Sequence, residues 1–234
     1  MDDRRRLAEV RSLRAQEAAA YFRAAAPQWE RIRSLHVPEH DVEAAIVRLL
    51  GRDRLDSVLD AGTGTGRMLE LLSPYIKRGI GIDVSPEMLS IARDRLGRAG
   101  AFNCQVRRGD VYRLPFGDGQ AASGFDAVLF HQVLHFLDDP QAALREAIRV
   151  LRPGGRVLIV DFAPHQLEFL RTEHAHRRLG FSDAEVQGWF KAAGLKGTAS
   201  QSLAPSDAQA LTVMVWLAET TGAPARAKNI EAVP

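Results

Sequence analysis

The feature that most constrains the fold is a glycine-rich turn between two short apolar strands. The first strand is predicted at Ser57-Val58-Leu59, and Asp60-Ala61-Gly62-Thr63-Gly64-Thr65-Gly66 follows directly. A helical stretch from Arg67 to Leu72 comes next, and a second predicted strand, Gly79-Ile80-Gly81-Ile82, ends on Asp83. A strand, a glycine turn, a helix and a second strand form the first half of a βαβ unit, from which parallel sheets are built.

The glycines of this turn indicate a backbone that approaches a bound ligand closely. A side chain at Gly62 or Gly64 would hold the ligand away from the main chain, and glycine also permits positive φ. Asp83, at the end of the second strand, is placed to accept hydrogen bonds from a ribose diol. The third glycine of a dinucleotide-binding turn would fall at position 67, where this chain has Arg67. A nicotinamide cofactor is therefore disfavoured.

Composition excludes several other classes of protein. A chain of 234 residues with 46% hydrophobic residues can bury the core of one domain plus an appendage. No apolar run approaches the roughly 18–20 residues of a membrane span, and the first residues do not resemble a signal peptide. The single cysteine, Cys104, excludes an internal disulfide, indicates a reducing cytoplasm and provides no thiolate cluster for arsenite or zinc. The net charge of +2 is too small to indicate nucleic-acid binding by the whole chain.

Residues 1–36 differ from the rest of the chain because they are rich in alanine and arginine and contain no glycine. Alanine and arginine favour helices, so we expect one or two helices here, broken near Pro27. Tyr21, Phe22, Trp29 and Ile32 are candidates to dock this segment onto the body of the protein.

Strands and helices alternate from residue 39 onward, which predicts a doubly wound parallel sheet. The predicted helices are Glu39 to Leu50, Arg67 to Leu72, a helix capped by Ser85, Pro140 to Leu151, and Ser182 to Ala193. The later predicted strands are Ala101 to Val111, Gly124 to Phe130, Arg156 to Asp161, Gly197 to Leu203 and Ala210 to Leu217. Residues 221–234 lack periodicity, and we expect them to be a disordered tail.

Several motifs, in this order and spacing, resemble those of the class I S-adenosylmethionine (SAM) methyltransferases. They are Asp60-x-Gly-x-Gly-x-Gly66, Gly81-Ile82-Asp83, Gly109-Asp110, Phe125-Asp126 and Leu151-Arg152-Pro153-Gly154-Gly155. The last of these is similar to the turn of the ubiquinone/menaquinone-type enzymes that act on small molecules. The resemblance covers about residues 40–217. It implies a Rossmann-like α/β fold: a mostly parallel seven-stranded sheet with an antiparallel last strand, helices on both faces and an N-terminal helical extension.

This resemblance divides the chain into an N-terminal extension (1–36), a SAM-binding domain (37–220) and the tail (221–234). A narrower resemblance, to the methyltransferase half of bacterial winged-helix repressor fusions, is carried by three segments. They are His36 to Glu39, Phe130 to Phe136 and His174 to Phe181. This chain lacks the winged helix, so the extension would be a lid or a connector, and no direct nucleic-acid binding is expected.

The resemblance also implies where SAM, and its product S-adenosylhomocysteine (SAH), would bind. Asp60 would order the turn and the amino group, Gly62 and Gly64 would approach the methionine and ribose, and Asp83 would bind the ribose hydroxyls. Asp110 and Val111 would contact the adenine. The full set of expected cofactor contacts is Asp60, Gly62, Thr63, Gly64, Gly66, Asp83, Val84, Met88, Asp110, Val111 and His131.

Two histidines are candidates for a catalytic base. His131 follows the fourth strand at the carboxyl edge of the sheet, where ligands bind in such folds. His176 belongs to a segment that, with Asp161, His165 and Glu173 nearby, is a candidate roof of the substrate pocket. A strand-capping role for His131 and a polar helix surface around His176 remain alternatives. No metal site is expected, because His174 and His176 flank Ala175 and would point in different directions on a helix.

The main functional hypothesis is a SAM-dependent methyltransferase acting on a small molecule, with the acceptor atom undecided. The alternative is a domain that senses SAM or SAH for a transcriptional regulator with little or no turnover. A nucleic-acid methyltransferase is disfavoured because His131-Gln132-Val133-Leu134 stands where base methylases have Asn-Pro-Pro-aromatic. The expected partners are a small-molecule acceptor and, through the N-terminal helices, a second copy of the chain, but no membrane.

Overall fold

The computed structural model describes residues 6, 18, 20–29, 39–50, 55–118, 124–204 and 211–221 of the chain. Within these residues the strands are Leu55–Ala61 (β1), Ile76–Asp83 (β2), Cys104–Arg108 (β3), Phe125–His131 (β4), Leu151–Phe162 (β5), Leu195–Leu203 (β6) and Val213–Thr220 (β7). The helices are Glu39–Leu50 (α1), Arg67–Leu72 (α2), Pro86–Arg98 (α3), Pro140–Val150 (α4), Phe169–Glu173 (α5) and Asp183–Ala192 (α6).

The seven described strands form one sheet in the order β3-β2-β1-β4-β5-β7-β6. Neighbours among β1 to β5 pair in parallel, whereas β7 runs antiparallel to both β5 and β6. The strand order changes direction between β1 and β4, so the carboxyl ends of these two strands open a crevice for a ligand. The predicted α/β fold, with its mostly parallel sheet and antiparallel last strand, is confirmed.

The central strands are buried on both faces because successive side chains point to opposite sides of a sheet. On one face, Val128 and Phe130 of β4 belong to a core cluster that includes residues of α4 and α6. On the other face, Ala127 and Leu129 belong to a cluster that includes residues of α1 and α2. This two-sided burial accounts for the continuous apolar runs of the sequence.

Helix starts follow the local chemistry of the sequence. The Ser85 hydroxyl accepts a hydrogen bond from the Met88 N–H (3.2 Å) and caps α3. The Ser182 hydroxyl accepts one from the Glu185 N–H (3.2 Å) and caps α6. Both caps lie where they are predicted, because each hydroxyl satisfies a backbone N–H that the first turn of a helix leaves unpaired.

The third strand is shorter than the predicted Ala101 to Val111. The chain leaves the sheet at Gly109, whose N–H donates to the Asp83 carbonyl (3.0 Å). Directly afterwards the Asp110 carboxylate accepts a hydrogen bond from the Tyr112 N–H (2.9 Å). An aspartate that bonds the backbone two residues on forms a turn, so β3 cannot continue through Asp110.

The other strand boundaries differ because neighbouring strands extend the pairing. β5 begins at Leu151 rather than Arg156, since Leu151 pairs with Phe125 and the ladder resumes, after an irregularity, at Arg156 and Ala127. β6 begins directly after Gly194, whose left-handed backbone (φ 73°) ends the preceding helical turn. β7 runs from Val213 to Thr220 rather than from Ala210 to Leu217, so this strand begins and ends later than the sequence predicts.

The N-terminal segment, defined as residues 20–29, is helical to residue 25 and tightens into a 3-10 turn at Ala26–Gln28 around Pro27. Predictions for Ile32, for His36 to Pro38 and for the tail at 222–234 fall outside the described residues. In the part of the chain that the structure describes, no helix is both long enough and apolar enough to cross a bilayer.

The connecting segment, residues 163–181, joins β5 to α6, and backbone hydrogen bonds hold its two ends together. The Phe181 N–H donates to the Phe162 carbonyl (2.8 Å), and the His165 N–H donates to the Leu179 carbonyl (3.0 Å). Gly180 has a left-handed backbone (φ 86°), and a Cβ there would lie 2.1 Å from the Ala163 carbonyl oxygen. Only glycine therefore fits at the point where this segment closes.

Two glycine substitutions should shift stability in opposite directions. Gly180→Ala should lower the free energy of unfolding by more than about 2 kcal/mol, because its Cβ meets rigid backbone at a strained φ. Gly188→Ala, within α6 and with open space around the new Cβ, should raise it by about 0.5–1 kcal/mol. Urea unfolding of both variants checks this, and equal effects would contradict the packing described here.

Candidate active site

The glycine turn lies at the carboxyl end of β1 and is held against β2. The N–H groups of Gly62 and Thr63 both donate to the Ile82 carbonyl (2.8 and 2.9 Å). Gly62 has φ 82°, and a Cβ at this position would lie 2.4 Å from a methyl carbon of Val133. The turn and the loop after β4 therefore touch, and a side chain at Gly62 would separate them.

Asp83 connects the glycine turn to the start of α3. Its Oδ2 accepts a hydrogen bond from the Gly64 N–H (2.9 Å), and its Oδ1 accepts one from the Ser85 N–H (2.9 Å). Burial raises the pKa of this carboxyl, while the bonds from the backbone of Ser85, Gly64 and Val84 act in the opposite direction. Each carboxylate oxygen can accept a second hydrogen bond, so Asp83 retains acceptor capacity toward a ligand.

Asp60, in β1, carries an acceptor atom that the described part of the chain does not satisfy. Its Oδ2 accepts the Thr63 hydroxyl (2.6 Å), but its buried Oδ1 has no hydrogen-bond partner there. Burial, reinforced by the charge of Asp83 and opposed by the Thr63 bond, raises the pKa of Asp60 to about 7. A cationic donor placed at Oδ1 would stabilise the ionised form.

A cavity of about 280 Å³, here called the cofactor cavity, opens above the carboxyl ends of β1, β2 and β4. Ten of the eleven predicted cofactor contacts line it: Asp60, Gly62, Thr63, Gly64, Asp83, Val84, Met88, Asp110, Val111 and His131. The structure thus brings together residues from four separate parts of the sequence in one cavity wall.

Gly66, the eleventh predicted contact, does not line the cofactor cavity. It occupies the N-cap position of α2 with a left-handed backbone (φ 78°). A Cβ at Gly66 would lie 3.0 Å from the Ala92 Cβ in α3. The close packing of two helices, and not the approach of a ligand, therefore explains why position 66 has no side chain.

Arg67, which replaces the third glycine of a dinucleotide turn, is held by carboxylates. Its Nε and Nη2 donate to the two oxygens of Glu43 in α1 (2.7 Å each), and its Nη1 donates to Glu70 (2.9 Å). This two-pronged pairing ties α2 to α1 with the geometry that arginine and carboxylate favour. Glu43 and Glu70 thus already engage all three guanidinium nitrogens.

The N-terminal segment covers the cofactor cavity. Phe22 and Trp29 line the cavity, and the Phe22 ring packs edge-on against Phe136 with centroids 4.9 Å apart. The Tyr21 hydroxyl lies 2.9 Å from His174 Nδ1, in the connecting segment. This placement agrees with the predicted docking of Tyr21, Phe22 and Trp29 on the body.

A second, polar cavity of about 740 Å³, here called the acceptor cavity, lies beneath the connecting segment. It adjoins the cofactor cavity, because Ala18, Leu137, Asp138 and Arg177 line both. The Arg177 guanidinium Nε lies 3.3 Å from the Asp138 carboxylate at this junction. The acceptor cavity is also lined by Gln166, Glu168, Arg171, Arg178 and the two histidines His165 and His176.

The two histidines predicted as catalytic lie in different cavities. His131 is the last residue of β4, is buried and lines the cofactor cavity, whereas His176 lines the acceptor cavity. His176 stacks near Phe162 and lies 4.2 Å, between ring centroids, from His135. Burial, with His135 nearby, lowers the pKa of His176 to about 2. His176 is therefore a neutral imidazole at physiological pH.

His135 is part of the scaffold between the cavities. Its Nδ1 lies 2.7 Å from the Asp161 carboxylate, and both side chains are buried. Its carbonyl accepts hydrogen bonds from the N–H groups of Arg177 and Arg178 (2.9 and 3.2 Å). His135 thus fixes the part of the connecting segment that faces the cavities.

Several lining residues were not predicted from the sequence. Gln132, Val133 and Phe136 in the loop after β4 line the cofactor cavity, as does Tyr112. Their position just after the carboxyl ends of strands is the one sequence signal that points to them. Among the described residues, no group of three or more His, Cys, Asp or Glu side chains is arranged to hold a metal ion.

Comparison with known proteins agrees with this geometry. Residues 59–159 match the family model described as "Methyltransferase domain". An uncharacterised methyltransferase, YcgJ of Bacillus subtilis, is 36% identical over 108 residues, which are 46% of this chain and 41% of YcgJ. Demethylmenaquinone methyltransferase of Tropheryma whipplei is 37% identical over 119 residues, 51% of this chain and 47% of that enzyme. The chain thus spans less than half the length of these curated relatives.

A solved structure extends the likeness to most of the fold. A Thermotoga maritima SAM-dependent methyltransferase, described as a possible histamine N-methyltransferase, is 25% identical with a TM-score of 0.67. The match covers 87% of this chain and 99% of that one. Residues 59–159 thus match a methyltransferase domain, and the described sheet has the fold of this solved SAM-dependent methyltransferase.

Proposed function

We propose that this chain transfers the methyl group of SAM to a small-molecule acceptor. The observation that carries the proposal is the pair of adjoining cavities, which share Leu137, Asp138 and Arg177. Methyl transfer needs a donor and an acceptor held in line, so two cavities with a common wall suit this reaction. The relative that is named for demethylmenaquinone supports a small-molecule acceptor.

Two independent features of the cofactor cavity suit SAM. The left-handed glycine at position 62 lets the backbone lie against a ligand, and the unpartnered Asp60 Oδ1 suits an ammonium group. In this proposal Gly62, Thr63 and Gly64 border the methionine and ribose, and Asp83 binds the ribose hydroxyls. Val84, Met88, Asp110 and Val111 surround the adenine.

When bound, SAM supplies a methyl carbon activated by the adjacent sulfonium. The chain's own contribution is then to orient the acceptor and to exclude water. His176 is too weak a base, with a pKa of about 2, to hold a proton at neutral pH. We assign it the role of a hydrogen-bonding partner that orients the acceptor, and His131, at the end of β4, remains the candidate base.

The state of the Cys104 thiol disfavours one class of methyl acceptor, which is arsenite. Its thiol is half-buried at the edge strand β3, outside both cavities, and burial raises its pKa to about 11. A thiol with such a pKa stays protonated near neutral pH and does not act as a thiolate ligand. Arsenite methylation, which requires several thiolates, is therefore disfavoured, and an acceptor bound by hydrogen bonds and arginines is favoured.

A SAM- or SAH-sensing domain is the alternative, and the N-terminal segment motivates it. Phe22 and Trp29 line the cofactor cavity. A ligand in the cavity would therefore contact this segment, and any domain connected through the segment could respond to the ligand. This arrangement suits a connector in a winged-helix fusion as well as a lid over the cofactor. The two functions differ in one respect, which is turnover.

Turnover separates the two functions. We expect the purified chain to form SAH from SAM when it is given a panel of phenols, amines, thiols and quinols, with one class strongly preferred. Chromatographic detection of SAH and of the methylated product measures this. A chain that binds SAH as tightly as SAM and yields no product with any acceptor class would support the sensor instead.

Asp83→Ala should weaken SAM and SAH binding at least about 30-fold, because charge-assisted bonds to the ribose are lost. Calorimetric titration measures the affinity, and the thermal unfolding midpoint checks that the variant folds. Asp94→Ala is the matched control, since Asp94 lies exposed on α3 and pairs only with Arg98 in the described structure. Unchanged affinity in Asp83→Ala would refute the assignment of the cofactor cavity.

The affinity for SAH should fall as the pH is lowered, because Asp60 then becomes protonated. Its pKa of about 7 means that the carboxyl of the free protein is mostly protonated at pH 6 and mostly ionised at pH 7.5. An ammonium group binds the ionised form, so affinity should be roughly fivefold to tenfold lower at pH 6. Calorimetry at both values, in buffers of different ionisation enthalpy, should also detect proton release. Asp60→Asn should abolish the pH dependence, and a pH-dependent Asp60→Asn variant would contradict this account.

A further inference from the structure

The acceptor cavity carries more positive than negative charge. Its described charged lining consists of three arginines and two carboxylates: Arg171, Arg177, Arg178, Asp138 and Glu168. The two histidines in the same wall add no charge near neutral pH, because burial lowers the pKa of both His165 and His176. The described lining therefore has an excess of one positive charge.

Both carboxylates of this wall are already opposed by an arginine. The Arg171 Nε lies 3.2 Å from Glu168 Oε2, and the Arg177 Nε lies 3.3 Å from Asp138 Oδ1. A cationic acceptor would have to displace an arginine from its carboxylate, and the displaced arginine would then lack its partner. An acceptor with a negative charge meets no such obstacle. The wall therefore favours an anion over a cation.

Arg177 retains donors for an anion after this pairing. Its side chain is 19% exposed and lines both cavities. In the described part of the chain its Nη1 and Nη2 have no hydrogen-bond partner, and neither belongs to the fully buried polar atoms. These two nitrogens form one edge of a planar guanidinium, and their spacing matches the two oxygens of a carboxylate.

The backbone that carries Arg177 is fixed without a ligand. The Arg177 N–H donates to the His135 carbonyl (2.9 Å), and the Arg177 carbonyl accepts a hydrogen bond from Arg171 Nη1. Two residues earlier, Ala175 has φ 56°, and among the described residues only Gln132 is a further non-glycine with positive φ. Such strain persists where the surroundings enforce it, and it is concentrated at functional sites. The fork of Arg177 is thus held in place, which lowers the entropy that binding costs.

The other two arginines are less suited to anchor an anion. Arg171 is engaged by Glu168 and by the Arg177 carbonyl. The Arg178 Nη1 lies 3.7 Å from Glu185 in α6, and the Arg178 side chain is 43% exposed. An exposed cation is hydrated and screened by salt, so its attraction for an anion is weak. Arg178 therefore adds to the positive potential of the cavity, and Arg177 is the candidate anchor.

We propose that the methyl acceptor is a small monoanion whose carboxylate binds the Nη1–Nη2 edge of Arg177. This proposal rests on the proposed methyl transfer and adds the substrate class to it. One excess positive charge suits a carboxylate, whereas a phosphate dianion would leave the cavity with a net negative charge. Arg177 lies in the wall that the two cavities share, so the methylated atom is a neighbour of the carboxylate, within a few bonds of it.

Matched pairs of probes test this assignment. The acids 2-hydroxybenzoate, 2-aminobenzoate and 2-mercaptobenzoate each carry a nucleophile beside a carboxylate on a rigid ring, and their primary amides lack the negative charge. Calorimetric titration of the full chain, loaded with SAH, should show at least one acid that binds about tenfold or more tightly than its amide. The matched phosphonate, as its dianion, should bind more weakly than that acid.

Variants of the ion pair separate anion binding from a structural role. Arg177→Gln should weaken binding of the acid about 10- to 100-fold and bring it to the affinity of the amide. Arg177→Lys keeps the charge without the planar fork, so it should recover part of the preference. Asp138→Asn breaks the same ion pair but keeps the fork, so it should keep the preference for the acid.

Arg145→Gln is the matched control for the loss of a positive charge. Arg145 is exposed on α4 and lines neither cavity. This variant should bind the acid and the amide as the wild-type chain does. Thermal unfolding midpoints show whether each variant folds, and Arg177→Lys decides the question if Arg177→Gln does not fold.

Binding and turnover separate this inference from the proposed function. Acids that bind through Arg177 to a chain that forms no SAH from SAM would support the anion site and overturn methyl transfer. A chain that forms SAH equally well from acids and amides would overturn the role of Arg177 alone. The same conclusion follows if Arg177→Gln keeps the preference for acids, if Asp138→Asn loses it, or if no acid of the panel binds.

Discussion

The site depends on the close approach of the glycine turn to the loop after β4. A Cβ on Gly62 would fall 2.4 Å from Val133, so the two loops meet only because position 62 has no side chain. This contact lies where the strand order changes direction, the one place in such a sheet where two neighbouring loops diverge enough to admit a ligand. Asp60 and Gln132 come to one wall as a consequence, although they are far apart in sequence.

Around this contact two partly buried arginines are held by carboxylates. Arg67 is bound by Glu43 and Glu70, and Arg177 lies against Asp138. Pairing offsets the cost of removing these charges from water and fixes the cavity walls before any ligand arrives. Asp60 differs from these residues, because its buried Oδ1 has no hydrogen-bond partner in the described part of the chain. A hydrogen bond to this atom would be gained without breaking either of the two arginine–carboxylate pairs.

Local chemistry in the sequence was enough to predict the helix caps and the buried strands, whereas the expected lining of the cofactor cavity was implied by the resemblance to the methyltransferase motifs. The Ser85 cap, α2 at Arg67–Leu72 and the buried strands each follow from a few adjacent residues. The remaining features are not local. Nothing in the local sequence predicts the left-handed backbone of Gln132. The packing role of Gly66 cannot be predicted either, because it depends on Ala92 of α3, which is distant in sequence. The separation of His131 and His176 into two cavities depends on how the connecting segment folds back over the sheet.

The two halves of the site are therefore under different constraints. The cofactor cavity is built from the ends of β1, β2 and β4, and any change there also disturbs the central sheet. The acceptor cavity is built largely from the connecting segment, which is pinned at its base by Phe181 and Phe162 and in its middle by the carbonyl of His135. Side chains between those anchors can change without loss of the backbone bonds. The lining of the acceptor cavity can thus vary while the Asp138–Arg177 pair is kept in the wall that the two cavities share.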